Sequence, residues 1–109
     1  MQRYCFTLDL IDEPSLIAEY RKHHESIWPE IQESITSAGV LDMEIYLRGS
    51  RLFMIMEVGE EFSFDKKAKA DLENPNVQEW ETLMWKYQQA LPGAEPGEKW
   101  RLMDKIFKL

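Results

Sequence analysis

The sequence predicts an α+β domain in which helices lie on one face of an antiparallel sheet. Three segments, residues 3–11, 40–47 and 51–58, alternate apolar and polar side chains, as strands do when their two faces differ. Between and after them lie two segments, 14–38 and 62–91, with apolar residues at helical spacing. A length of 109 residues is typical of one domain, so we expect residues 1–109 to form a single unit.

The first alternating segment predicts a strand over residues 3–11. One face of this strand carries the large side chains Tyr4, Phe6, Leu8 and Leu10, and the other carries Cys5, Thr7 and Asp9. Cys5 lies in an apolar run, so we expect it to be buried and unreactive. As the only cysteine, it excludes a disulfide framework and a cysteine-based metal site.

The first helical segment begins after the strand and is divided by a proline. Asp12 can cap the helix and Pro14 suits its first turn. Pro29 opens a second helical piece, which we expect to end at Gly39. The apolar stripe of the first piece is formed by Leu16, Ile17, Tyr20 and His24.

The middle of the chain predicts a β-hairpin. Residues 40–47 and 51–58 both alternate, and Arg48-Gly49-Ser50 between them is a tight-turn signal. A second helical segment follows, interrupted at Asn74-Pro75-Asn76, and its last helix has the stripe Val77, Trp80, Met84, Tyr87 and Leu91. Residues 93–98 predict a loop, and 99–108 predict the final strand.

This order of strand, helix, strand, strand, helix and strand is the ferredoxin-like βαββαβ arrangement. Helices cover one face of such a sheet, and we expect the other face to carry Leu52, Met54, Met56 and Trp100. Those side chains are too apolar to remain in water. The sequence therefore predicts a homodimer in which two sheets pack face to face.

Charge and composition exclude several function classes. There are 13 basic and 20 acidic residues, a net charge of −7, and no basic run exceeds two residues, which argues against nucleic acid or an anionic membrane as a partner. No stretch approaches the roughly 18 apolar residues of a spanning helix, and the N-terminus lacks a leader pattern. We therefore expect a cytoplasmic protein. We also expect no metal or organic cofactor, because the chain has only two histidines, adjacent to each other, and no glycine-rich phosphate loop.

Tyr20 and His24 are the strongest candidates for chemistry. They lie four residues apart and share a helix face, and histidine has an intrinsic pKa near ~6.5, which suits proton transfer at neutral pH. The alternative is a histidine at a helix end that bonds a carbonyl. His23 points about a hundred degrees away, so a solvated side chain is the simpler interpretation for it.

With these residues in place, the chain resembles the L-rhamnose mutarotase family. The resemblance rests on EYRKHHESIWPEI, EIYLRGSRLFMIMEV and MWKYQQALPG, which occur in the expected order and, together, span most of the chain. It implies a dimeric ferredoxin-like α/β barrel that interconverts the α and β anomers of a 6-deoxy-hexose. It also implies that His24 is the catalytic proton donor, acting at the ring oxygen, and that Tyr20 contacts the sugar. Water, Tyr20 or a strand carboxylate would handle the second proton.

Two positions depart from the family pattern. The resemblance implies sugar contacts at Met43, Met84 and Trp85, where the family has an aromatic on the second strand and a Trp-Trp pair in the last helix. Methionine adapts to a different outline but cannot donate the hydrogen bond of Tyr or Trp. The altered contacts can change the preferred sugar. We expect L-rhamnose as the substrate because the family is named for it, with L-fucose close behind.

Two other functions are compatible with the predicted fold. One is a different enzyme, a small monooxygenase-like or heme-degrading dimer with a histidine–aromatic cavity. The other is a sugar-binding or regulatory dimer without catalysis, in which Tyr20 and His24 are ordinary helix-end residues.

Overall fold

A computed structural model describes all residues, 1–109, and contains one antiparallel sheet of five strands. The long strands are β1 (Gln2–Leu10), β2 (Val40–Arg48) and β3 (Arg51–Val58), in the spatial order β2-β3-β1. The second edge of β1 is shared by two short strands, β4 (Gln88–Gln89) and β5 (Arg101–Leu102). The predicted α+β class with an antiparallel sheet is confirmed.

Four helices connect the strands: α1 (Pro14–His23), α2 (Pro29–Ser37), α3 (Phe64–Glu73) and α4 (Pro75–Trp85). Prolines open α1, α2 and α4, where a missing N–H removes no helical hydrogen bond. Asn74 caps α4 by accepting hydrogen bonds from the N–H groups of Asn76 (3.0 Å) and Val77 (3.4 Å). The predicted cap at Asp12 is wrong: Glu13 is the N-cap of α1, and its side chain makes no capping bond.

The core lies between the helices and one face of the sheet. Leu8 of β1 pairs with Leu52 of β3, and both are almost completely buried. The same face of β3 continues through Met54, Met56 and Val58, all buried. Leu52, Met54 and Met56 were expected on the uncovered face, and the structure corrects this because they pack under the helices.

The opposite sheet face carries no helix. Cys5 pairs with Ile55 and Thr7 with Phe53, and all four residues are half-buried. Cys5 is therefore less buried than expected. Trp100, the other residue expected here, is half-buried and packs against both core clusters instead.

The end of the chain differs most from the sequence prediction. The last helix ends at Trp85 instead of continuing to Leu91, because the backbone turns to pair with the sheet edge. The N–H of Ile11 donates to the carbonyl of Tyr87 at 2.8 Å, and Gln89 then pairs with Asp9. The final strand, predicted over 99–108, is limited to Arg101–Leu102. No helix in the structure is both long and apolar enough to cross a membrane.

Candidate active site

His24 stands at the C-terminal end of α1, where the helix stops before the Trp28-Pro29 step. Its backbone N–H donates to the carbonyl of Arg21 (3.1 Å), and the N–H of Glu25 donates to the carbonyl of Lys22 (3.2 Å), which closes the helix. Its ring Nδ1 lies 2.9 Å from the carbonyl oxygen of Tyr20. A carbonyl only accepts, so Nδ1 carries the hydrogen and the neutral ring keeps Nε2 free as an acceptor.

Aromatic rings surround the imidazole of His24. The Tyr20 ring lies beside it with centroids 4.3 Å apart, and Trp80 of α4 approaches edge-on at 5.7 Å. Trp28 contacts Trp80 in turn, at 5.0 Å. Burial lowers the pKa of His24 below 6.5, the neighbouring His23 lowers it further, and the bond to the Tyr20 carbonyl offsets part of the shift. At neutral pH this imidazole is therefore uncharged.

A cavity of about 570 Å³ opens beside His24. Ligand sites for small molecules commonly have volumes of roughly 300–1,000 Å³. Helix α2, strands β2 and β3, and helices α3 and α4 form its walls. The apolar part of the lining includes Ile31, Ile35, Met43, Met54, Val77 and Trp80. The polar part includes His24, Gln32, Asp42, Lys67, Asp71 and Glu81.

The structure brings two of the five predicted site residues to this cavity. His24 and Met43 both line it. Tyr20 lies beneath His24 in the core, and burial raises the pKa of its hydroxyl to about 12, with a hydrogen bond to the side chain of Gln88 lowering it in part. Met84 is buried in the same core cluster as Tyr20. Trp85 is partly exposed, and the Lys99 ammonium lies 4.8 Å from the centre of its ring.

Sequence reasoning missed Trp80 as a site residue. Trp80 was assigned to the apolar stripe of the last helix, and a stripe position does not distinguish a core residue from a cavity wall. The structure shows that Trp80 contacts His24 and lines the cavity. His23 is also less exposed than expected: its Nε2 lies 3.1 Å from the hydroxyl of Tyr87.

No group of three or more His, Cys, Asp or Glu side chains is arranged to hold a metal ion. The groups that can act chemically at the cavity are thus a neutral imidazole, carboxylates and one ammonium. Together they define an acid–base site in a ligand-sized cavity on a ferredoxin-like domain.

Comparison with known proteins gives the family. A family model described as L-rhamnose mutarotase matches residues 3–109. The L-fucose mutarotase of Xanthomonas campestris pv. campestris is 48% identical over 111 aligned residues, which cover 100% of this chain and 89% of that protein. The L-rhamnose mutarotase of Jannaschia sp. is 34% identical, with 88% of each chain covered. The chain belongs to the L-rhamnose mutarotase family, a family of isomerases, as the resemblance predicted.

Solved structures support the fold independently. An L-rhamnose mutarotase from Formosa agariphila superposes with a TM-score of 0.74 at 19% identity, covering 100% of this chain and 99% of that one. A dimeric ferredoxin-like protein from an uncultured marine organism gives a TM-score of 0.59 at 12% identity, with 98% and 96% covered. These likenesses confirm the ferredoxin-like arrangement.

Proposed function

We propose that the protein interconverts the α and β anomers of a 6-deoxy-hexose, using His24 for proton transfer. The observation that carries this proposal is a neutral imidazole on the wall of a cavity of about 570 Å³, with a free Nε2. Membership of the mutarotase family supplies the reaction class. No metal or cofactor takes part in the proposed reaction.

Mutarotation opens the hemiacetal ring, turns the C1 group and closes the ring again. Opening removes the proton from the anomeric hydroxyl and adds a proton to the ring oxygen, while the bond between C1 and that oxygen breaks. Closing reverses both transfers and returns the proton to the hydroxyl. The sugar leaves with the same atoms and charge, so one acid and one base are sufficient.

His24 begins this cycle as the base in our proposal. The lowered pKa and the hydrogen bond from Nδ1 favour a neutral ring whose Nε2 can accept the anomeric proton. The imidazolium formed in this way returns its proton to the anomeric oxygen in the closing step, while water protonates the ring oxygen on opening and takes that proton back on closing. The sequence predicts His24 as the acid at the ring oxygen, and the pH dependence of kcat/KM distinguishes the two assignments.

L-fucose is the sugar we propose as the better substrate, ahead of L-rhamnose. The relative named L-fucose mutarotase matches the whole chain at 48% identity, against 34% for the Jannaschia L-rhamnose mutarotase. Met43 and Trp80 give the cavity an apolar wall suited to the C6 methyl group and to the apolar face of a sugar ring. Tyr20, Met84 and Trp85 stay predicted sugar contacts.

The test is anomer exchange by proton NMR saturation transfer on L-fucose and L-rhamnose. We expect the wild type to accelerate exchange and His24→Ala to lose about 10²–10⁴-fold of that rate, the usual contribution of general acid–base catalysis. His23→Gln is the matched control, because His23 is adjacent in sequence but does not line the cavity. Saturable sugar binding without acceleration would instead identify a binding protein.

We also propose that the protein is a cytoplasmic homodimer. The uncovered sheet face, with Phe53 and Ile55 half-buried and Tyr46 51% exposed, supports a second copy as the cover.

A further inference from the structure

An ion pair lies in the wall of the cavity that holds His24. Lys67 and Asp71 are one turn apart on α3, with Nζ and Oδ2 separated by 2.6 Å. Their side chains are 22% and 18% exposed, so the pair is more buried than the other ion pairs of the chain. Both residues line the cavity, on a different element from His24.

Helix stability does not account for this pair. Lys67 stands in the N-terminal half of α3 and Asp71 in the C-terminal half. A lysine before an aspartate is the less favourable order, because the helix dipole prefers acidic residues at the N-terminal end and basic ones at the C-terminal end. An ion pair four residues apart on a helix contributes little to stability in any case, roughly 0.3–0.5 kcal/mol.

The pair has unused hydrogen-bonding capacity. The bond between Nζ and Oδ2 is the only hydrogen bond that either side chain makes. An ammonium has three N–H donors and a carboxylate has two acceptor oxygens. Two donors on Lys67 and the Oδ1 atom of Asp71 thus have no protein partner.

The surroundings of the pair explain how two charges can lie beside an apolar wall. Lys67 and Asp71 also line a second, more polar cavity of about 330 Å³. The pair therefore separates the two cavities, and its outer side stays within reach of water. Access to water lowers the desolvation penalty that a fully buried ion pair incurs.

We propose that Lys67 and Asp71 bind two adjacent sugar hydroxyls and thereby discriminate between L-fucose and L-rhamnose; this inference rests on the proposed function. One hydroxyl donates to Oδ1 of Asp71, and its neighbour accepts from Nζ of Lys67. Because His24 must face C1 and the pair lies on another wall of the cavity, we assign the pair to the hydroxyls on C3 and C4. The two sugars differ in orientation at C4, so this contact distinguishes them.

The experiment measures kcat and KM on both sugars for the wild type and Lys67→Met, with Lys67→Arg and Asp71→Asn beside them. A hydrogen bond to a charged group contributes about 1.5–3 kcal/mol, so Lys67→Met should raise KM for the better sugar about 10- to 150-fold. We expect kcat to change less than about threefold, because the contact is as strong in the ground state as in the transition state. The preference between the sugars should fall, and Lys67→Arg should restore part of it.

Lys69→Met is the matched control. Lys69 is an exposed lysine of the same helix and lines neither cavity, so its KM values should equal those of the wild type. Equal KM values for Lys67→Met and Lys69→Met, in proteins with native melting curves, would overturn the proposal. If Lys67→Met fails to fold, Asp71→Asn is used for the same comparison.

The binding of L-fucose, measured by ligand-observed NMR, tests the hydroxyl contact separately from the mutarotase activity. A wild type that binds the sugar without accelerating exchange contradicts the mutarotase function alone, and a weaker Kd for Lys67→Met then still supports the hydroxyl contact. Binding unchanged by Lys67→Met refutes the contact even if the enzyme is active. A wild type that neither binds nor converts either sugar refutes both.

Discussion

At the residue scale, His24 owes its chemistry to the place where α1 ends. The apolar stripe and the Trp28-Pro29 step identified His24 from sequence, because a proline disfavours helix in the residue before it. The hydrogen bond from Nδ1 to the Tyr20 carbonyl fixes the tautomer, and burial lowers the pKa. From the sequence, a bond between His24 and a carbonyl is the alternative to a catalytic role. In the structure His24 makes that bond and also lines the cavity.

The pH dependence of catalysis follows from the lowered pKa of His24. A depressed folded-state pKa keeps the imidazole neutral down to pH values below 6.5. If His24 acts as the base, kcat/KM rises with pH below that value and is level at neutral pH. The measurement is kcat/KM for L-fucose between pH 4.5 and 8. A rate that instead declines as pH rises through the same range assigns the acid role in ring opening to His24.

Trp80 gives a second prediction at this scale. Its ring lines the cavity next to His24, so Trp80→Leu should raise KM for the sugar about 2- to 13-fold, the effect expected from losing an aromatic contact of about 0.5–1.5 kcal/mol. Trp80→Phe keeps an aromatic ring and should retain most of the affinity. Indistinguishable KM values for Trp80→Leu and the wild type would exclude Trp80 from sugar binding.

At the scale of elements, the parts predicted best are those whose structure depends on local sequence. The β2–β3 hairpin was predicted with its turn, because alternation and Arg48-Gly49-Ser50 specify it without reference to the rest of the chain. The end of α4 was not predicted correctly. Tyr87 continues the helical spacing of the apolar stripe, but its carbonyl accepts a hydrogen bond from the N–H of Ile11 at the sheet edge. At this point, strand pairing between distant segments overrides the local helix propensity, and a local sequence pattern cannot predict such pairing.

The cap of α4 provides a test of element stability. The Asn74 side chain accepts from two N–H groups at the start of the helix that carries Trp80. Asn74→Ala should lower the free energy of unfolding by about 1 kcal/mol. Urea denaturation measures this, with Asn76→Ala as the control, because Asn76 is exposed and its side chain makes no hydrogen bond. Equal losses in the two variants would contradict a capping role for Asn74.

At the scale of the whole molecule, the sequence predicted that one sheet face needs a cover but misidentified its residues. Alternation separates β3 into Leu52, Met54 and Met56 on one side and Phe53 and Ile55 on the other. Both sets are apolar, so the pattern cannot tell which of them the helices cover. The structure places the first set in the core and leaves the second on the open face. We therefore still expect a second subunit on the open face, with Phe53 and Ile55 there in place of Leu52, Met54 and Met56.

Dimerisation can be tested through that open face. Ile55 lies between Cys5 of β1 and Glu44 of β2, near the middle of the sheet, and a carboxylate there would be desolvated in a sheet-to-sheet interface. Beyond β5, the apolar side chains of Ile106 (94% exposed) and Phe107 (76% exposed) also face water, and we expect a partner to cover them as well.

We expect the wild type to sediment at twice the chain mass of 13.0 kDa and Ile55→Asp to sediment as a monomer. The control is Lys69→Asp, which places the same carboxylate on an exposed helix position and should leave the dimer intact. Analytical ultracentrifugation at micromolar concentration distinguishes the two masses. Since the helices and the His24 cavity lie on the other side of the sheet, a folded Ile55→Asp monomer also tests whether the cavity works without a partner. A wild-type monomer would mean that the open face is stable in water and that this chain needs no second copy.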